Sequence, residues 1–162
     1  MKIKTEEMSY SDVVALPHKP KFKPKKPNML FRTLLKAVSA PELFSVHFKC
    51  NKIGMDKLGK KEPCLYLMNH SSFIDLKLAS RILYPRKYQI VCAADAMVGL
   101  DWILRPLGCI PTQKFVNDFS LIRDLKYSLK ENKSSVLMYP EAGYTFDGKC
   151  VTLPEKFGSL FK

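Results

Sequence analysis

A histidine five residues before an aspartate, in Asn69-His70-Ser71-Ser72-Phe73-Ile74-Asp75, is the pair in this chain best suited to proton transfer. A neutral imidazole accepts a proton near pH 7, and a neighbouring carboxylate holds its tautomer and steadies the imidazolium that forms. In one continuous helix the two side chains would point about 140° apart. They meet only if His70 sits on the turn before a helix and Asp75 in its first turn. A purely local role is also open, because Ser72 and Asp75 fit the Ser-x-x-acid capping box, in which the acid returns a hydrogen bond to the helix start. A second block, Tyr139-Pro140-Glu141-Ala142-Gly143-Tyr144-Thr145, carries another carboxylate at the end of an apolar run.

The elements around these blocks must place them at one end of a sheet. Cys64 to Met68 is a short apolar run that reads as a buried, central strand delivering Asn69 and His70 to its carboxyl end. Ser71 or Ser72 then caps a helix through Phe73, Ile74, Leu76, Leu78 and Ala79 that stops at Tyr84-Pro85. Tyr88 to Ala93 reads as a second strand, followed by a helical stretch from Asp95 to Leu107. Gly108-Cys109-Ile110-Pro111 is a short strand or turn ending at Thr112-Gln113-Lys114, and Asn117 caps a helix with Leu121, Ile122, Leu125 and Leu129 on one face. Ser135 to Tyr139 is a third strand; Asp147-Gly148 marks a turn, and Leu153 to Phe161 starts a helix. Strand and helix alternate, which predicts an α/β fold with a largely parallel sheet covered by helices. The histidine falls at a strand-to-helix turn, where active residues of open α/β sheets collect.

The chain before these blocks divides at about residue 27. Residues 1–27 form a basic, Pro- and Lys-rich arm, and 17–27 hold five Lys, four Pro and no acid, which favours an extended, solvated conformation. From Asn28, a cap, Met29 to Ala40 reads as a helix that ends before Pro41. Counting from Leu30, residues 34, 38, 31 and 35 fall at about 40°, 80°, 100° and 140°, and Arg32 and Lys36 at about 200° and 240°. Separate apolar and cationic stripes after a polybasic arm suit an anionic membrane surface, and a core-packing helix has the same pattern. Phe44 to Ile53 alternates and reads as a strand, with His47 given no role. Gly54 to Pro63 reads as a basic turn.

Composition narrows the classes. With 162 residues and 46% hydrophobic content the chain can bury one real core. A formal net charge of +12 implies anionic partners: a phosphorylated ligand, an anionic membrane or nucleic acid. No zinc, helix-turn-helix or RNA-recognition signature accompanies the charge, so no nucleic acid is expected. Cys50, Cys64, Cys92, Cys109 and Cys150 show no metal-ligand spacing, and no metal or cofactor is expected. The odd count and the lack of a signal peptide point to the cytosol. There is no Gly-x-Ser-x-Gly elbow, which argues against a serine hydrolase.

Together the blocks resemble the glycerolipid acyltransferase family, the bacterial 1-acylglycerol-3-phosphate acyltransferases in particular. Asn69, His70 and Asp75 match the family's Asn-His-x-x-x-x-Asp block. Tyr139-Pro140-Glu141-Ala142-Gly143-Tyr144 is similar to Phe-Pro-Glu-Gly-Thr-Arg, and Gly108-Cys109-Ile110 running to Lys114 is similar to the intervening Gly-x-Ile block. The resemblance covers residues 28–162 as one domain, and the family's C-terminal part is expected to be missing. It implies acyl transfer from an acyl thioester, on coenzyme A or acyl carrier protein, to the hydroxyl of a lysophospholipid such as 1-acylglycerol-3-phosphate, in phospholipid biosynthesis. His70 and Asp75 would be catalytic; Lys114, Glu141, Gly143 and Tyr144 would bind the acceptor. The expected setting is the inner face of a membrane, held peripherally. Two residues depart from the pattern: Lys114 and Tyr144 stand where the family carries arginine, and each loses the two-pronged guanidinium. The alternatives are an incomplete domain that binds lipid without turnover and, behind it, a basic nucleic-acid-binding protein.

Overall fold

The computed structural model describes residues 9–15, 22–59, 61–72, 74–97, 99–113, 118–141, 143–147, 149–150, 152–153 and 157–158. Two helices, α1 (Tyr10–Ala15) and α2 (Met29–Ser45), precede β1 (Leu65–Leu67). Then follow α3 (Asp75–Leu83), β2 (Tyr88–Ala93), a 3-10 turn (Asp95–Met97), α4 (Asp101–Leu107), β3 (Cys109–Thr112), α5 (Phe119–Lys130) and β4 (Ser135–Met138). The four strands are all parallel in the order β1-β4-β2-β3, an α/β architecture.

The period-two alternation of the strands divides the core. Tyr88 and Ile90 of β2, Cys109 of β3 and Leu137 of β4 pack with Ala79 and Leu83 of α3 on one face, joined by Leu104 and Leu107 of α4. Val136 and Ile110 face the other way, onto Leu121 and Leu125 of α5. Asp118 caps α5, its carboxylate accepting from the amides of Ser120 (3.0 Å) and Leu121 (3.2 Å). The cap is therefore Asp118, and the expected cap, Asn117, lies outside the described residues. Parallel strands carry their carboxyl ends to one edge, so β1 and β4 deliver both blocks of interest to that edge.

Several local expectations are corrected. The run at 64–68 forms β1 at the edge of the sheet, not its centre, and Leu67 is half exposed. The stretch 95–107 is two pieces, because Gly99 adopts φ +74°, a left-handed conformation that ends the first piece. α2 does not stop before Pro41 but runs through it to Ser45, and Phe44 to Ile53 is no strand. The helix ends instead in a Schellman arrangement, with His47 left-handed at φ 51°. The amide of His47 bonds the Phe44 carbonyl, and that of Phe48 bonds the Leu43 carbonyl. Pro41 lies inside the helix on its exposed side.

The orientation of α2 and the course of the segment before it also differ from the sequence reading. Arg32, 4% exposed, turns inward, donates to the Tyr88 carbonyl and lies 3.6 Å from the centre of the Tyr88 ring. Lys36 sits 3.7 Å from the centre of the Tyr84 ring. The cationic stripe thus faces the protein and the apolar stripe faces out. Residues 22–28 carry no regular element and are laid partly on the fold: Pro24 and Pro27 are buried, the Lys25 carbonyl accepts from Gln89 (2.8 Å), and Lys23, Lys25 and Lys26 stay exposed. Pro27 packs so closely that a Cβ on Gly108, itself at φ +88°, would lie 3.1 Å from it. The helix expected from Leu153 falls largely outside the described residues.

Candidate active site

The site begins with the chain leaving β1. Met68 still donates to the Met138 carbonyl (3.1 Å), so Asn69 and His70 emerge at the carboxyl edge beside the end of β4. The peptide then folds over the start of α3, and Asp75 is the first residue of that helix, only 3% exposed. His70 Nδ1 and Asp75 Oδ2 are 2.9 Å apart. The same carboxylate oxygen accepts from the amides of Ser71 (2.7 Å) and Ser72 (2.9 Å). A carboxylate here can only accept, so the shared proton sits on Nδ1 and Nε2 keeps its lone pair. The imidazole is mostly covered, with its side chain 20% exposed.

Ser72 is not the helix cap. Ile74 occupies the cap position with no side-chain cap bond, and the helix-start amides of Ser71 and Ser72 are satisfied by Asp75 alone. Half of the capping box is therefore present, with the acid returning its bond and no serine hydroxyl in reply. Those two amides are consequently spent on the Asp75 carboxylate.

The block after β4 closes on His70 from the other side. Glu141 Oε2 accepts the His70 amide at 2.8 Å, which orients the peptide that carries the base. The amides of Thr145 and Phe146 bond the carbonyls of His70 and Ser71, both at 2.9 Å. Tyr139 stacks on the imidazole, with ring centres 4.0 Å apart and planes 15° from parallel, and Tyr144 leans against it at 4.3 Å and 51°. Burial, and then the negative charge of Asp75, pushes both phenols above their ordinary range, so both stay protonated around neutrality. The Tyr139 hydroxyl is buried with no hydrogen-bond partner among the described residues.

Of the expected site residues, His70, Asp75, Glu141 and Tyr144 therefore converge. Gly143 lies in the same loop, where a Cβ would meet only the Glu141 carbonyl at 4.0 Å, so packing does not demand glycine. Lys114 lies outside the described residues. Tyr139 was given no role by sequence reasoning: an aromatic at a strand end reads as core, and nothing local marks it as a partner of a distant histidine. No cluster of three or more His, Cys, Asp or Glu able to hold a metal occurs among the described residues.

A histidine whose distal nitrogen is free, backed by a buried carboxylate, can take a proton from a hydroxyl. The family model described as Acyltransferase matches residues 49–161, which include both blocks and the segment between them. No curated protein and no solved structure matches the chain. With a match over most of its length, the chain belongs to the glycerolipid acyltransferase family.

Proposed function

We propose that this acyltransferase moves an acyl group from a thioester of coenzyme A or acyl carrier protein to the hydroxyl of a lysophospholipid. The single observation carrying this reading is the 2.9 Å contact between His70 Nδ1 and Asp75, which leaves Nε2 as the basic atom. The acceptor oxygen attacks the thioester carbonyl carbon while Nε2 removes its proton. The tetrahedral oxyanion then collapses, the C–S bond breaks, and the imidazolium returns the proton to the departing thiolate. The products are an ester and a free thiol. Asp75 holds the tautomer at the start and the imidazolium midway. Glu141 positions the base through its backbone, and Lys114 stays the proposed phosphate contact.

The test is thiol release from an acyl thioester with and without lysolipid acceptors. His70→Ala should remove acceptor-dependent release, a loss of roughly 10²–10⁴-fold. Activity close to the parent's would overturn the assignment. Lipid binding without turnover is the second reading, favoured by the position of Tyr144 against the imidazole. Retained lysolipid binding with no thiol release in the parent would select it.

Tyr144 also bears on which acceptor is used. It touches the base where the family pattern has a charged donor, and it offers one neutral hydroxyl. A phosphomonoester acceptor therefore loses a charged hydrogen bond, worth about 1.5–3 kcal/mol, or one to two orders of magnitude in selectivity. The parent should discriminate weakly between lysophosphatidate and a zwitterionic lysolipid, and Tyr144→Arg should shift the ratio of kcat/KM toward lysophosphatidate. A parent already strongly selective for lysophosphatidate, with a ratio that Tyr144→Arg leaves alone, would remove Tyr144 from the phosphate position.

A further inference from the structure

At the end of α3 away from Asp75, a cavity of about 390 Å³ lies between α2, the segment that follows α2, and the last turn of α3. Three cations line it: Lys36 of α2, Lys52 of the following segment and Arg81 of α3. No carboxylate does. Phe48, Ile82 and Tyr84 give it apolar surface.

The fold holds two of these cations in place. Lys52 Nζ donates to the Ile82 carbonyl at 2.6 Å, and Lys36 Nζ lies 3.7 Å from the centre of the Tyr84 ring. An ammonium carries three donors, so both keep donors for a further acceptor. Arg81 is exposed and makes no hydrogen bond or ion pair among the described residues. The surrounding chain supplies no counter-charge either. Residues 29–52 and 75–84 contain two carboxylates, Glu42 and Asp75. Glu42 is paired with Lys77 and Asp75 with His70, so neither is left for the cavity. Like charges gathered in one recess repel, and an anion seated among them removes that cost.

The chemistry fits a phosphate, whose oxygens can take a guanidinium and two ammoniums at once. The volume is that of a small-molecule site, and the apolar surface suits an organic body beside the phosphate. We propose that this cavity binds a small organic phosphate, with its phosphate among Lys36, Lys52 and Arg81 and its body against Phe48 and Ile82. The nine residues of α3, about 13 Å, separate it from the turn where Asp75 backs His70. It is therefore a second site, and it does not rest on the acyl-transfer reading.

The test uses Cys50, which lines the cavity and is exposed, with exposed Cys150 as the control. The whole chain is alkylated with iodoacetamide, and each cysteine is followed by peptide mass spectrometry. The additions are adenosine diphosphate, inorganic phosphate, adenosine, and sodium chloride at matched ionic strength. Adenosine diphosphate should protect Cys50 saturably and leave Cys150 alone. Inorganic phosphate should do the same at higher concentration, and adenosine and chloride should not. Arg81→Gln changes an exposed side chain, so its circular dichroism should match the parent's; the half-protecting concentration should rise about tenfold or more. Lys130→Gln, an exposed cation on α5, should leave that concentration unchanged. His70→Ala should be protected as the parent is, which keeps this result apart from the fate of the proposed reaction. Cys50 left unprotected by both phosphates would overturn the proposal. Equal protection by adenosine or by chloride would overturn it too, as would a Lys130→Gln effect as large as that of Arg81→Gln.

Discussion

One oxygen of Asp75 holds three donors, the imidazole and the two amides that lead into α3, so position and catalysis cannot be separated by geometry alone. They separate in substitution. Asp75→Asn keeps one acceptor oxygen for the amides, so unfolding in urea should show a loss of about 1 kcal/mol, the scale of a weakened cap. Without the negative charge the imidazolium is no longer steadied, and kcat should fall by roughly 10²–10⁴-fold. Normal turnover with the same stability loss would reduce Asp75 to a cap. Tyr139 acts at one remove, as a positioning residue whose ring limits the imidazole to one plane. Tyr139→Ala should lower kcat with little change in KM, and Tyr139→Phe, which restores the stacked ring, should recover it. Failure of the phenylalanine to rescue would give the role to the hydroxyl instead.

At the scale of elements, α2 is where a helical wheel divides the faces correctly but does not say which one is covered. An arginine is buried there because its guanidinium stacks on Tyr88 and bonds a strand carbonyl, a partner some fifty residues away that no local pattern reveals. Arg32→Ala should therefore destabilise the fold, by on the order of 1–3 kcal/mol in a urea titration, by leaving the Tyr88 carbonyl less satisfied. An unchanged urea midpoint would mean that the guanidinium does not fasten α2 to β2. The other misreadings share this origin. The helix terminator at His47 is a left-handed non-glycine, so it carries no composition signal, and the alternation from Phe44 could be read as a strand because nothing local shows that no strand pairs with it. The edge position of β1 depends on β4, seventy residues later. What was legible was local: the alternation of strands and helices, the caps at Asn28 and near Asp118, and the meeting of His70 with Asp75 across one turn.

For the molecule as a whole, four tyrosines, two of them against His70, tie its stability to pH. Tyr66, Tyr88, Tyr139 and Tyr144 all have phenols raised above the ordinary value, with burial the leading cause in each. For a group whose folded pKa is raised, the folded state holds its proton after the unfolded chain has released it, so stability is complete below the unfolded pKa and is lost as pH climbs above it. The window therefore opens at about pH 10, where an unfolded tyrosine titrates. Nothing in these four groups weakens the fold between neutrality and pH 9. Above the threshold, each of the two most buried, Tyr88 and Tyr139, should add up to about 1.4 kcal/mol per pH unit to the decline. Urea unfolding at pH 8, 10 and 11 should show a flat step followed by a steep one. Tyr139→Phe removes one of these protons without removing the ring, so its second step should be shallower than the parent's. An unchanged slope in that variant would mean that the Tyr139 hydroxyl reaches solvent and is not held in the core behind His70.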